Sequence, residues 1–274
     1  MKIPIRDPVP PVSQFMDTLP TIFLSHGAPD LAIRDGVATK FLRSIHQQFP
    51  KPKAILVISA HWNAASPTVS AAKQPRTIHD FSGFPEKLYQ LGYPALGAPE
   101  LSDRVVSLLN NAGIPSHSHP SRGFDHGAWT PLILAYPEAD IPVTQLSIQY
   151  DRDPLHHWKV GQALEPLRHE GVLIIGSGSA THNLYAFNAD YDALPPDWVT
   201  QFDEWLAATI EKGNWDDLLQ YRKLAPYAKE NHPTEEHLLP LFVALGAAGS
   251  AAKGTQLHSS YTYGAFSMAA YSFT

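Results

Sequence analysis

The sequence has no cysteine among its 274 residues. That absence excludes disulfides, iron–sulfur clusters and thiolate zinc sites together, so any metal must be held by His, Asp or Glu. An excess of positive charge is missing too. Twenty Lys and Arg against 26 Asp and Glu leave a formal net charge of −6. No basic field is available to hold a polyanion, and no nucleic-acid partner is expected. No apolar run reaches the ~18 residues needed to span a bilayer, so no membrane partner is expected either. Residues 1–20 lack the continuous apolar core of a secretory signal. They are Pro-rich and read as a flexible or surface-wrapped arm, and a cytoplasmic location is the default expectation. Internal repeats and low-complexity linkers are absent. What remains, residues 21–274, reads as one α/β domain.

Apolar residues make up 44 % of the chain, enough to bury a core. Four short apolar runs, 21–25, 54–59, 143–148 and 172–175, have the continuous Ile/Leu/Val character of strands covered on both faces. Between them lie helical patterns. Residues 100–112 place Leu101, Val105, Leu108 and Leu109 on one face and stop at Gly113. Residues 156–170 stop at Gly171. Asp197 follows two prolines as an N-cap, ahead of Trp198, Phe202, Trp205, Leu206 and Ile210 at helical spacing. Residues 261–273 read as a strand near a sheet edge. Residues 74–97, rich in Pro, Gly and aromatics, form a long loop of the ordered, functional kind.

Fourteen histidines supply the chemistry. Three of the apolar runs end alike: Ile22–Leu24 leads into Ser25-His26-Gly27, Ile55–Ile58 into Ser59-Ala60-His61-Trp62, and Leu173–Ile175 into Gly176-Ser177-Gly178 with His182-Asn183 beyond. Parallel strands would carry these histidines to one sheet edge, where open α/β sheets bind ligands. A single histidine after a strand is more often structural. Independent structural causes are not expected to repeat the placement three times. In Gly123-Phe124-Asp125-His126-Gly127, Asp125 either fixes the tautomer of His126 for acid–base work or caps the next helix. Thr234 reads as the N-cap of a helix whose first turn holds His237. There the helix dipole would keep the ring neutral, although Pro240 would make the turn irregular. The alternative for His237 is a partly exposed helix-start residue. His79-Asp80 in the long loop reads as a substrate lid or as surface.

These segments, in this order, resemble one family: Leu24-Ser25-His26-Gly27-Ala28-Pro29, Ser59-Ala60-His61-Trp62, His79-Asp80-Phe81-Ser82-Gly83-Phe84-Pro85, Gly123-Phe124-Asp125-His126-Gly127, Gln145-Leu146-Ser147-Ile148, His182-Asn183-Leu184 and Glu236-His237. They are similar to the 4,5-DOPA extradiol dioxygenases, a branch of the class III extradiol ring-opening dioxygenases, from about Pro20 to the C-terminus. The resemblance implies a three-layer α/β/α single domain around a mostly parallel or mixed sheet. It implies one divalent metal per chain, with Fe(II) expected for catalysis and Zn(II) the alternative in purified protein. By similarity the ligands fall on His26, His61 and His237, with His182 either a fourth ligand or, with His126, an acid–base. His79, Phe81 and Phe84 are expected to contact a catechol substrate such as L-DOPA, and O₂ is the co-substrate. Where class III relatives place a carboxylate ligand, this chain places His237, and neutral imidazoles suit zinc as well as iron. A zinc hydrolase using the same histidines is therefore the rival reading.

Overall fold

The computed structural model describes residues 18–274. Residues 1–17, most of the N-terminal arm, lie outside the described residues. Its last two residues, Leu19 and Pro20, are buried, Leu19 donating its N–H to the Arg168 carbonyl and accepting from Arg168 Nε.

The strands are β1 (Thr21–Ser25), β2 (Ala54–Asn63), β3 (Thr68–Ser70), β4 (His117–His119), β5 (Val143–Ile148), β6 (Val172–Gly178), β7 (Gly254–His258), β8 (Tyr261–Thr262), β9 (Phe266–Ser267) and β10 (Ala270–Phe273). Eight form one sheet in the order β4-β3-β5-β2-β6-β1-β10-β7, while β8 and β9 pair separately. The four apolar runs expected to be strands are the parallel centre, β5-β2-β6-β1. Antiparallel β10 and β7 extend one side. On the other side β3 pairs antiparallel with β5 and parallel with β4.

Alternation along the central strands divides the core in two. Ile22, Leu24, Ile55, Val57, Leu173 and Ile175 face one side, with helices Val37–Ser44 and His126–Ala135. Phe23, Leu56, Ile58, Val172 and Ile174 face the other, with helices Pro99–Asn111, Pro154–Leu164, Asp197–Lys212 and Leu239–Ala247. The result is the expected three-layer α/β/α domain around a mixed sheet. Among the described residues no helix is long and apolar enough to cross a membrane.

Three local expectations are corrected. The C-terminal stretch is not one edge strand. Tyr263 and Gly264 take positive φ (54° and 69°) and turn the chain between β8 and β9, and β10 then inserts between β1 and β7, leaving β7 at the edge. Asp197 is the first helical residue, and Pro196 holds the cap position without a side-chain cap bond. The helix after Thr234 starts only at Leu239, with Pro240 in its first turn, so His237 sits in the turn before it. Thr234 Oγ1 donates to Glu236 Oε1 instead of capping.

Two further buried histidines, His157 and His232, hydrogen-bond to the backbone. His157 Nδ1 donates to the Asp153 carbonyl and its Nε2 accepts from Gln149 N, while His232 Nε2 donates to the Ala180 carbonyl. Burial pushes their imidazoles down to about 4 and about 3 respectively. The unfolded chain, with histidines near 6.5, takes up these protons first as pH falls. Stability is therefore fully present above about 6.5 and declines below it by about 1.4 kcal/mol per pH unit for each such group. The urea midpoint should fall from pH 7 to pH 5, and His232→Gln should flatten that slope. An unchanged slope in the variant would contradict this assignment.

Candidate metal centre

The histidines converge because the strands that carry them are parallel neighbours. His26 directly follows β1, and its backbone N–H donates to the carbonyl of Gly178 at the end of β6. His61 lies near the end of β2, on the other side of β6. His237 comes from the turn before Leu239, whose backbone lies on the end of β6: Ser179 N donates to the His237 carbonyl at 2.9 Å. A Cβ at Gly178 would lie 1.9 Å from that carbonyl oxygen, so only glycine permits the approach.

Three ring nitrogens meet. His61 Nε2 lies 3.0 Å from His26 Nε2 and 3.2 Å from His237 Nε2. The opposite nitrogens are held. Ser177 Oγ donates to the Gly127 carbonyl and so accepts from His26 Nδ1 at 3.0 Å. Glu236 Oε1 accepts from His237 Nδ1 at 3.0 Å. Asp80 Oδ2 lies 3.6 Å from His61 Nδ1. Protons fixed on Nδ1 of His26 and His237 leave their Nε2 lone pairs pointing at His61 Nε2. Burial first, and the neighbouring imidazoles second, push all three rings well below their ordinary pKa, so they are neutral. Neutral nitrogen donors about 3 Å apart fit a divalent cation: arms of about 2.05 Å at tetrahedral angles separate their ends by about 3.3 Å. The donor chemistry therefore fits a metal at His26, His61 and His237, a group whose ligand atoms lie within 4.8 Å of one another.

His182 lies against this set, stacked on His237 with ring centroids 3.4 Å apart and planes 11° from parallel. Ring lone pairs lie in the ring plane, so two stacked imidazoles aim along parallel planes and not at one point. Its nitrogens do come within 4.8 Å of Glu236 and His237. Burial, then the field of His126, pushes His182 down to about 4.

His126 opens helix His126–Ala135, and its ring centroid is 3.9 Å from that of His61. Its acidic partner is not the adjacent Asp125. That carboxylate is fully buried and accepts from Ser59 Oγ (2.6 Å), Arg122 Nη2 (3.0 Å) and Gln145 Nε2. Asp80 takes the role instead. Its Oδ1 accepts from His126 N at 2.9 Å, and its Oδ2 lies 3.0 Å from His126 Nδ1. The side-chain contact is close but poorly aligned, so charge and the backbone bond carry it. Burial opposes the Asp80 charge, but the His126 contacts outweigh it and hold the carboxyl at about 2.

Above the nitrogens is a cavity of about 350 Å³, walled by Phe81, Phe84, Leu184, Phe187 and Phe266. Phe81 and Phe84 stand where substrate contacts were expected. His79 does not line it. Its Nε2 donates to the Leu91 carbonyl, and its ring packs among Phe81, Tyr89 and Trp129, so it anchors the loop. The sequence motifs assign no role to Glu236, Ser177 or Leu184, and Phe187 and Phe266 fall outside them. The Ser after a strand and the His182-Asn183-Leu184 run were the available signals.

Comparison with known proteins finds relatives over most of the chain. A family model described as the catalytic LigB subunit of aromatic ring-opening dioxygenase matches residues 20–273. The chain is 48 % identical over 258 residues to the 4,5-DOPA dioxygenase extradiol of Beta vulgaris, covering 93 % of this chain and 96 % of that one. It is 40 % identical over 235 residues to the protein of that name from Escherichia coli K12, covering 84 % and 85 %. The crystal structure of an uncharacterised E. coli K12 protein superposes with a TM-score of 0.78 at 33 % identity, covering 93 % of this chain and 99 % of that one.

Metal content should separate ligand from neighbour. His237→Ala should lose the metal while keeping its far-ultraviolet circular dichroism. Glu236→Gln should weaken metal affinity by about 10–100-fold, because it removes the anion that orients His237. Glu235→Gln should bind normally, since Glu235 faces Arg222 at 2.8 Å. Full metal in His237→Ala, with loss in Glu235→Gln, would move the third ligand to the neighbouring carboxylate.

Proposed function

Because the chain belongs to the family of catalytic LigB subunits of aromatic ring-opening dioxygenases, we propose that it opens the ring of catechols such as L-DOPA at an Fe(II) held by His26, His61 and His237. It is an extradiol ring-cleaving dioxygenase, as its 4,5-DOPA dioxygenase relatives indicate. The observation that carries the finer reading is the meeting of three neutral imidazole nitrogens at the floor of an aromatic-walled cavity large enough for one substituted ring. Nothing in the site or among the relatives favours the hydrolase alternative.

The chemistry iron supplies when bound is electron relay between a chelated catecholate and O₂. The remaining work belongs to the chain. Phe81, Phe84 and Phe266 present apolar surface to the ring and exclude water from it. A catechol sheds a proton as it binds, and neutral His182 takes it at a ring nitrogen, since an imidazole held at about 4 is unprotonated at neutral pH. Asp80 holds the His126 backbone N–H at 2.9 Å and lies 3.0 Å from its Nδ1, which keeps the ring beside His61 at the cavity floor. Stacking on His237 fixes where His182 can act.

Iron-loaded protein with L-DOPA should consume O₂ and form a yellow ring-opened product. His126→Ala and His182→Ala should each keep their metal and lose about 10²–10⁴ in kcat. Turnover that is equal without O₂ would remove the dioxygenase reading. Metal loss in His182→Ala would make that residue a ligand.

A further inference from the structure

The cavity wall has an uneven charge inventory. Among the described residues lining it, Glu236 is the one charged side chain, the histidines being neutral or held against a carboxylate. No Lys or Arg of the described chain lines it. The guanidinium groups packed around the site are already engaged. Arg122 lies on Asp125 and stacks over Trp62. Arg34 lies on Asp30 and stacks over Tyr191 and Tyr263. A second carboxylate, Asp80, stands behind His61 and His126. At the mouth, where a ring substituent would emerge, stand Leu184 and Phe187, both exposed.

We propose that this site selects catechols whose ring substituent is uncharged or cationic and discriminates against those bearing an anionic one. The proposal rests on the ring-opening reading and names its substrate class. A divalent metal with a bound catecholate already faces two carboxylates, Glu236 and Asp80, across a wall of low polarity. A third anion, carried away from the metal on the ring substituent, would meet the two carboxylates and no Lys or Arg on the wall, and its desolvation would go uncompensated. An ammonium or alkyl group meets the opposite field or an apolar rim. L-DOPA, carrying one charge of each sign, falls between the two.

The test uses the full-length, iron-loaded protein with dopamine, 4-methylcatechol and 3,4-dihydroxyphenylacetate. It reads kcat/KM in air and Kd by calorimetry without O₂. The carboxylate substrate should be worse than dopamine by about tenfold or more in both, the size expected of one uncompensated like-charge contact. Leu184→Arg should narrow that ratio by bringing a cation to the mouth. Equal or better use of 3,4-dihydroxyphenylacetate by the unaltered protein would overturn the proposal, as would a ratio that Leu184→Arg leaves unmoved. If no catechol turns over but the anaerobic Kd ratio holds, the selectivity stands and the ring-opening reading fails.

Discussion

Three neutral imidazoles, buried with their Nε2 atoms converging at about 3 Å, are the constraint around which the rest of this site is arranged. Each is neutral because burial excludes the charged form, and two have their only proton fixed on the far side by Ser177 and Glu236. A divalent cation between them would take up these nitrogens as ligands. The scaffold is built to hold the nitrogens there. β1 and β2 flank β6 in parallel, so His26 and His61 leave the sheet at the same edge. Glycine at 178 lets the His237 turn lie directly on the β6 backbone.

The carboxylates then take up a supporting position. A third imidazole in place of a carboxylate ligand leaves the coordination shell more positive by one charge. Glu236 on His237 and Asp80 beside His61 return negative charge one layer out. From there they orient the rings without competing for the metal. The same placement makes Asp80 the partner of His126, so one carboxylate lies against both His61 and His126.

Much of the architecture was legible in sequence because the central strands are buried on both faces and read as unbroken apolar runs. Their ends, Ser25-His26, Ser59-Ala60-His61 and Gly176-Ser177-Gly178, located the functional edge. What stayed hidden lacked a local signal. The three residues of β4 are all exposed and alternate nothing apolar. β10 takes an interior position through pairing with β1 that no local pattern records. Asp125 was the wrong partner for His126 because adjacency in sequence is not contact. At the start of a helix the Asp125 side chain turns toward Ser59 and Gln145, while Asp80 arrives from 46 residues away. Pro240 delayed the helix after Thr234, so burial, and not a helix dipole, keeps His237 neutral.

X-ray absorption on protein loaded with Fe(II) without oxygen tests the central claim most directly. The account predicts the multiple-scattering signature of three imidazole rings on one iron, at about 2.1 Å, and the same count in His182→Ala. Two rings plus a carboxylate, or a fourth ring that disappears in His182→Ala, would contradict it.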